Sequence, residues 1–200
     1  MSIIKLPSKL PRAELNRRHF LGLMVVSGFA AFSPRSGAAA VADLLPKERS
    51  LSLYNPHTQE SLEVTYWSGG DYLPEALADI NQLMRDYRTG EVKPIDTGLL
   101  DLMHEISVKL KAKEPFHVIS GYRSRETNEM LRKRSRRVAK NSYHVKAKAA
   151  DIRLPCCGVS KLRKTAFKLK AGGVGYYPGL SFVHIDVGPF RCWTGARKKA

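Results

Sequence analysis

The order of strand-like and helix-like patterns constrains the fold of this chain more than any other feature. Residues 51–54 and 62–67 alternate apolar and polar side chains around residues 55–58, which predicts a β-hairpin closed by a turn. A helix is then predicted near Pro74, with apolar residues at helical spacing from Leu73 to Tyr87. A second helix is predicted from one apolar face, formed by Leu99, Leu102, Met103, Ile106 and Leu110.

The second half of the chain is predicted to be richer in strands. Ser124 is a suitable N-cap for a further helix, and residues 134–148 lack apolar periodicity, which indicates a long loop. The remaining predicted elements are strands at 116–120, 149–154 and 181–187 and a helix at 160–170. Because strands and helices do not alternate steadily, the pattern favours an α+β fold in one domain over a doubly wound parallel sheet.

The first 42 residues have the layout of an export signal. A basic stretch is followed by an apolar run at 20–32 and by small residues at 38–42. A run of this length is too short to span the roughly 30 Å hydrocarbon core of a bilayer. Arg17 and Arg18 stand directly before the run, which favours a twin-arginine signal over an ordinary basic leader. We therefore expect a domain at 43–200 with a basic tail from about 194, periplasmic and not integrated in the membrane after processing.

The chain is strongly basic, with 34 lysines and arginines against 18 acidic residues. Such a charge usually suggests nucleic acid, but export and the lack of a helix-turn-helix or RNA-binding motif argue against that partner. Peptidoglycan stem peptides, which carry free carboxylates, are the anions expected outside the cytoplasm, and the protein is expected to act as a monomer. The densest basic segment includes Arg123, Arg125, Arg132, Lys133, Arg134, Arg136, Arg137 and Lys140. It is either a solvated face or a surface that holds anionic stems.

Three cysteines leave at least one thiol without an intramolecular partner. Cys156 and Cys157 are adjacent, and either could pair with Cys192 in an oxidising compartment. Adjacent cysteines do not form the spaced pairs that bind zinc. We therefore assign them only a structural role.

One set of residues has the chemistry of a metal site. His144 and Asp151 lie seven residues apart, and His184 stands in an apolar strand. Two histidines and a carboxylate, with a fourth position left for water, are a common ligand set of zinc hydrolases. Spacing alone leaves other interpretations open, since His184 could be an ordinary hydrogen-bonded histidine and Asp151 could pair with an arginine.

Four blocks in fixed order carry a family resemblance. They are Ser-Gly-Tyr-Arg-Ser at 120–124, Ser142 with His144 and Asp151, Gly-Gly-Val-Gly-Tyr-Tyr-Pro at 172–178 and Phe-Val-His-Ile-Asp at 182–186. Together they resemble the murein endopeptidase K group, zinc peptidases of the D-Ala-D-Ala carboxypeptidase type that are related in fold to the hedgehog signalling domain. The resemblance implies a central, mostly antiparallel sheet with helices packed on one side and a zinc site between a loop and strands.

The resemblance also implies site residues and an activity. His144, Asp151 and His184 correspond to the zinc ligands, and Arg123 corresponds to an arginine that contacts substrate and stabilises an oxyanion. The implied reaction is hydrolysis of peptide cross-links in peptidoglycan, with 3-3 links between diaminopimelates the favoured substrate and carboxypeptidase action the alternative. Tyr143, Tyr176 and Tyr177 either line the cleft or serve in packing.

Two positions depart from the family pattern. Ala147 stands where glycine is usual, and Ser181 stands where several relatives place a glutamate base. Asp186 follows His184 on the same strand face, so it is predicted either to act as the base or to orient a ligand. The missing glutamate keeps open a non-catalytic zinc domain that binds cell wall or a protein, although Arg123 beside all three ligands favours an enzyme.

Overall fold

The computed structural model describes residues 48–135 and 138–195, so the predicted signal peptide and most of the basic tail lie outside the described residues. The strands are β1 (Arg49–Asn55), β2 (Glu60–Ser68), β3 (Asp71–Tyr72), β4 (Phe116–Ser120), β5 (Ala149–Arg153), β6 (Gly173–Tyr177), β7 (Phe182–Asp186) and β8 (Arg191–Thr194). The helices are α1 (Pro74–Leu83), α2 (Thr97–Leu110), α3 (Arg125–Arg134) and α4 (Val159–Leu169), with a 3-10 turn at Pro178–Leu180.

The eight described strands form one mixed sheet. Their order is β3-β2-β1-β4-β5-β7-β6-β8. Strands β1 and β4 pair in parallel, as do β6 and β8, and the other five neighbouring pairs are antiparallel. A mostly antiparallel sheet with separate helices confirms the α+β class predicted from the order of patterns.

The two faces of the central strands differ in chemistry. Side chains alternate along a strand, so Ile152 and Val183, which are register partners on β5 and β7, both point into the core and are fully buried. Helices α1, α2 and α4 add buried apolar side chains to that same core. Asp151 and His184, also register partners, must therefore lie on the opposite face. This polar face is where a site can form.

Most of the predicted elements are confirmed. Strands β1 and β2 form the hairpin, and β4 has the predicted bounds. Ser124 caps α3, since its hydroxyl accepts a hydrogen bond from the Thr127 N–H at 3.0 Å. Among the described residues between α3 and β5 there is neither helix nor strand, as predicted for this loop.

Helix α1 is shorter than its apolar spacing suggested. It ends at Leu83, and Tyr87 lies beyond the helix, stacked on His57 with ring centroids 3.9 Å apart. The backbone turns here because the N–H and C=O of Asp86 bind Glu91 and Gly90 instead of continuing the helix. Gly90, with φ of 74°, supplies the left-handed conformation that this turn requires.

Three strands, β3, β6 and β8, were not predicted. Two residues of β6 are glycines, which have low strand propensity and no side chain to show alternation. Gly175 on β6 faces Trp193 of β8, and a Cβ there would lie 2.7 Å from the indole ring. The glycine is therefore required by a contact with a strand that follows later in the chain.

Two further sequence expectations concern thiols and membranes. Cys156, Cys157 and Cys192 are all free, so no bridge joins the adjacent pair to Cys192. No helix within the described ranges has the length and apolar character needed to cross a bilayer.

Candidate metal centre and active site

The sheet and one turn deliver His144, Asp151 and His184 to a common point. Asp151 and His184 are neighbours because β5 and β7 pair in that register. His144 comes from a tight turn in which the N–H of Ala147 donates to the His144 carbonyl at 3.0 Å. Ala147 adopts φ of 56°, a left-handed conformation that glycine would adopt with less strain. The turn therefore forms with alanine at the position for which the resemblance implies glycine.

The three side chains converge closely and are nearly buried. Nδ1 of His184 lies 2.9 Å from Oδ1 of Asp151, and Nε2 of His144 lies 3.3 Å from the same oxygen. The two facing ring nitrogens are 3.2 Å apart. Among the described residues this is the cluster of histidine, cysteine and acidic side chains whose arrangement could hold a metal ion.

The hydrogen bonds on the side of each imidazole ring that faces away from the cluster determine which ring nitrogens carry no proton. Nδ1 of His144 lies 2.8 Å from the Gly121 carbonyl, which can only accept, so this nitrogen carries the proton. Nε2 of His184 lies 2.9 Å from a carboxylate oxygen of Asp186 and carries its proton for the same reason. In the neutral rings the facing nitrogens are then both lone-pair donors. Two such nitrogens and a carboxylate oxygen fit a cation such as zinc, which would take the place of a proton between them.

The electrostatics of the cluster favour a positive charge at its centre. Burial would raise the pKa of Asp151, but His144 and His184 outweigh burial and hold that pKa well below its ordinary value. Burial lowers the pKa of His144. Burial also opposes the charged form of His184, yet its hydrogen bonds with Asp151 and Asp186 leave its pKa raised. Asp151 thus presents a permanent negative charge to the cluster.

Asp186 is fully buried on the outer side of His184. One of its oxygens accepts the His184 Nε2–H, and both accept from Arg191, at 2.6 and 3.0 Å. Backbone N–H groups of Gly173 and Gly188 also donate to it. Its oxygens are therefore engaged in holding His184 and are not free at the facing nitrogens.

Arg123 lies beside the cluster with unused hydrogen-bonding capacity. Its Nη2 is 3.7 Å from Oδ2 of Asp151 and donates to the Ser120 hydroxyl at 3.3 Å. Its Nε is buried and has no partner among the described residues. Burial lowers the pKa of this guanidinium, although the charge of Asp151 opposes the shift. Arg123 also lines the cavity over the cluster, so its positive charge lies where a developing oxyanion could be stabilised.

The segment that carries Arg123 is held by the turn after α1. The N–H of Tyr122 donates to the Met84 carbonyl at 2.8 Å, and the N–H of Ser124 donates to the Asp86 carboxylate at 2.9 Å. Gly121 lies so close that a Cβ there would be 2.4 Å from the Met84 carbonyl oxygen. Since Gly121 also binds His144, this contact positions both a cluster histidine and Arg123.

A cavity of about 640 Å³ opens over the cluster. One wall is aromatic: Tyr177 and Phe182 stack at 4.6 Å, and the Trp193 indole N–H donates to the Tyr177 hydroxyl at 2.9 Å. The Trp193 ring is also 5.2 Å from that of His184. Trp193 and Phe182 were not predicted from the sequence as site residues, and Trp193 reaches the cavity only because β8 pairs with β6.

The predicted tyrosines divide between the two roles considered for them. Tyr143 and Tyr177 line the cavity, whereas Tyr176 lies outside it, beneath the guanidinium of Arg163. Ser181 also lies outside the cavity, exposed and with φ of 56°, and its carbonyl accepts from Arg153. Ser181 therefore supplies no acid or base to the cluster.

Comparisons with known proteins agree with the motif blocks. A family model described as Peptidoglycan L,D-endopeptidase MepK matches residues 44–193. The Peptidoglycan L,D-endopeptidase MepK of Escherichia coli (strain K12) is 44% identical over 184 residues, covering 92% of this chain and 100% of that protein. The Probable peptidoglycan L,D-endopeptidase MepK of Haemophilus influenzae is 39% identical over 183 residues, covering 91% of this chain and 97% of that protein. The chain therefore belongs to the peptidoglycan L,D-endopeptidase MepK family.

Proposed function

We propose that this protein is a zinc-dependent peptidoglycan endopeptidase whose ligands are His144, Asp151 and His184. The observation that carries the proposal is the convergence of an ionised carboxylate and two ring nitrogens that are both lone-pair donors in the neutral rings, in a nearly buried cluster. The curated relatives, which are named as peptidoglycan endopeptidases, support the substrate class.

Zinc bound by these ligands would polarise a carbonyl as a Lewis acid and lower the pKa of a water toward about 7. Arg123, which lines the cavity beside Asp151, donates to the scissile carbonyl oxygen and stabilises the negative charge that develops there. Loss of one such donor costs roughly 10²- to 10³-fold in kcat.

Asp186 acts by orienting a ligand in this proposal, the second of its two predicted roles. It holds the proton of His184 on Nε2, so that Nδ1 presents a lone pair. Arg191 and two backbone N–H groups keep the carboxylate in place and ionised, because they stabilise its charged form. Arg191 in turn lies between the rings of Tyr143 and Trp193, 5.1 Å from each centroid. This contact links the orientation of His184 to the cavity wall.

The substrate bond is a 3-3 cross-link between diaminopimelates. The relatives' names specify an L,D bond, and a diaminopimelate with one L and one D centre can contribute such a bond. The twin-arginine signal predicted for residues 1–42 would bring the enzyme to this substrate in the periplasm after folding.

Cleavage of defined muropeptide dimers tests the proposal. The purified protein is incubated with 3-3 and 4-3 linked dimers, with zinc or with a chelator, and the products are identified by mass. We expect zinc-dependent cleavage of the 3-3 dimer and none by His184→Ala. His104→Ala is the matched control, because His104 lies on α2 and lines neither the cluster nor the cavity.

The outcomes separate the rival interpretations. Cleavage that persists in chelator with no bound metal would overturn the zinc proposal. A folded, zinc-loaded protein that binds dimers but cuts none would instead support the non-catalytic wall-binding domain. Preference for the 4-3 dimer would overturn the assignment of the bond.

A further inference from the structure

A second cavity, of about 410 Å³, adjoins the active-site cavity. It lies between α3 and the loop that carries His144. Asn141 and Ser142 line both cavities, so the two lie side by side on the loop that carries His144.

The second cavity is strongly positive. Among the described residues, its lining contains one acidic residue, Glu129, and five cationic side chains. These are Lys93, Arg125, Arg132, Lys140 and Lys146. None of the five forms an ion pair with another residue in the described part of the chain. A concave surface with one sign of charge focuses the electrostatic potential and raises the local concentration of anions.

A buried amide adds a second kind of recognition. Asn128 is 3% exposed and lines this cavity, and its Nδ2 donates to the Ala139 carbonyl at 3.2 Å. Since that carbonyl can only accept, the amide orientation is determined, and Oδ1 is left buried with no partner among the described residues. Oδ1 is closed off from the cavity surface in this conformation, so it meets a ligand N–H only if the side chain shifts toward the cavity, and that shift is favoured because an unpaired buried acceptor is costly.

We propose that this second cavity binds the free carboxylate end of the stem peptide next to the scissile cross-link, with Asn128 accepting an N–H of that stem. The proposal rests on the proposed function and assigns a specificity role to the three members of the basic segment that line the cavity, Arg125, Arg132 and Lys140. A carboxylate and a neighbouring N–H are what a peptide end offers, and a phosphate offers only the anion. The position of this cavity next to the active-site cavity, with which it shares Asn141 and Ser142, favours the substrate itself over a separate partner.

Kinetics on paired substrates test this assignment. The double variant Arg132→Gln/Lys140→Gln is compared with Lys133→Gln/Arg134→Gln, whose residues lie in the same basic segment but do not line the cavity. Each is assayed on a 3-3 dimer with free stem carboxylates and on the same dimer with those carboxylates amidated. We expect the first variant to raise KM about threefold to tenfold on the free dimer, with kcat unchanged, since two partly exposed charge contacts are lost. The second variant should leave KM unchanged.

The amidated dimer provides the decisive comparison. For the wild-type enzyme, KM should be higher on the amidated dimer than on the free dimer by about the same factor as the Arg132→Gln/Lys140→Gln substitution produces. On the amidated dimer that double variant should show no further increase in KM, because amidation and the substitutions remove the same interaction. An equal increase on both dimers, or an equal effect of the two variants, would overturn the proposal. Asn128→Asp should also raise KM for the free dimer by placing a negative charge in the cavity, and circular dichroism checks its fold.

Binding of uncleaved dimers to the His184→Ala protein separates the two proposals. Preference for the free over the amidated dimer, with no cleavage by the unmodified enzyme, would overturn the proposed function alone. Cleavage without any such preference would overturn the carboxylate site alone.

Discussion

Replacing Asp86 by asparagine should destabilise the protein through one buried hydrogen bond. Asp86 is 2% exposed, and its two oxygens accept from the backbone N–H groups of Arg88 at 3.0 Å and Ser124 at 2.9 Å. Asparagine has nearly the same shape, but its amide NH₂ must replace one of these acceptors. The facing N–H then loses its partner, which costs about 1 to 3 kcal/mol at the buried Ser124 N–H and falls toward the lower end at the part-buried Arg88 N–H.

Urea and thermal unfolding measure this effect. For a domain of this size each kcal/mol corresponds to roughly 2–4 °C in Tm, so Asp86→Asn should lower Tm by about 2 to 12 °C. Asp79→Asn is the matched control, because Asp79 is exposed on α1. Since Asp86 holds Ser124 and therefore Arg123, kcat on dimers should fall as well, also at temperatures where the variant is fully folded.

The pH dependence provides a further check. Burial would raise the pKa of Asp86, but hydrogen bonds from Thr127, Ser124 and Arg88 outweigh it and leave the pKa below its ordinary 3.8. The stability that the carboxylate contributes is therefore fully present above about pH 4 and is lost as pH falls through the lowered folded-state pKa. The difference between wild type and variant should shrink in acid. Equal stability at pH 7, or a difference that does not change with pH, would refute the reasoning.

Three other substitutions test separate contacts. Arg123→Ala should lower kcat about 10²- to 10³-fold in dimer-cleavage kinetics while zinc content, measured by mass spectrometry, stays the same. Gly175→Ala places a Cβ 2.7 Å from the Trp193 indole, so Trp193 fluorescence should shift and KM should rise as the cavity wall moves. Tyr66→Phe removes a 2.9 Å hydrogen bond to Asp101 and should cost about 0.5 to 1.5 kcal/mol in urea unfolding without changing kcat. In each case, a variant whose measured quantity equals that of the wild type would contradict the contact described for that residue.

Local patterns predicted the elements that locate the cluster. Alternation in β7 correctly separates His184 from the apolar residues that face the core, and the loop before β5 was recognised from its lack of periodicity. The contact between Asp151 and His184 depends on the register of two strands that are distant in sequence. The spacing of Asp151 and His184 in the sequence therefore left other interpretations open, and only the ordered motif blocks indicated that the two residues bind the same metal ion.

Other parts of the site depend on contacts that local patterns do not encode. Trp193 reaches the cavity because β8 pairs in parallel with β6, and β8 has four residues without clear alternation. The end of α1 depends on bonds between Asp86 and residues further along the chain, although its apolar spacing continues to Tyr87. The role of Asp186 depends on Arg191, which approaches from the same later strand.

The most direct test of the central claim is an anomalous diffraction map, recorded at the zinc edge, of crystals of the protein grown with zinc. The proposal predicts one strong peak bounded by Nε2 of His144, Nδ1 of His184 and the Asp151 carboxylate, and no such peak in crystals of His184→Ala. Zinc bound elsewhere, or an empty cluster in crystals whose protein still cleaves 3-3 dimers, would contradict it.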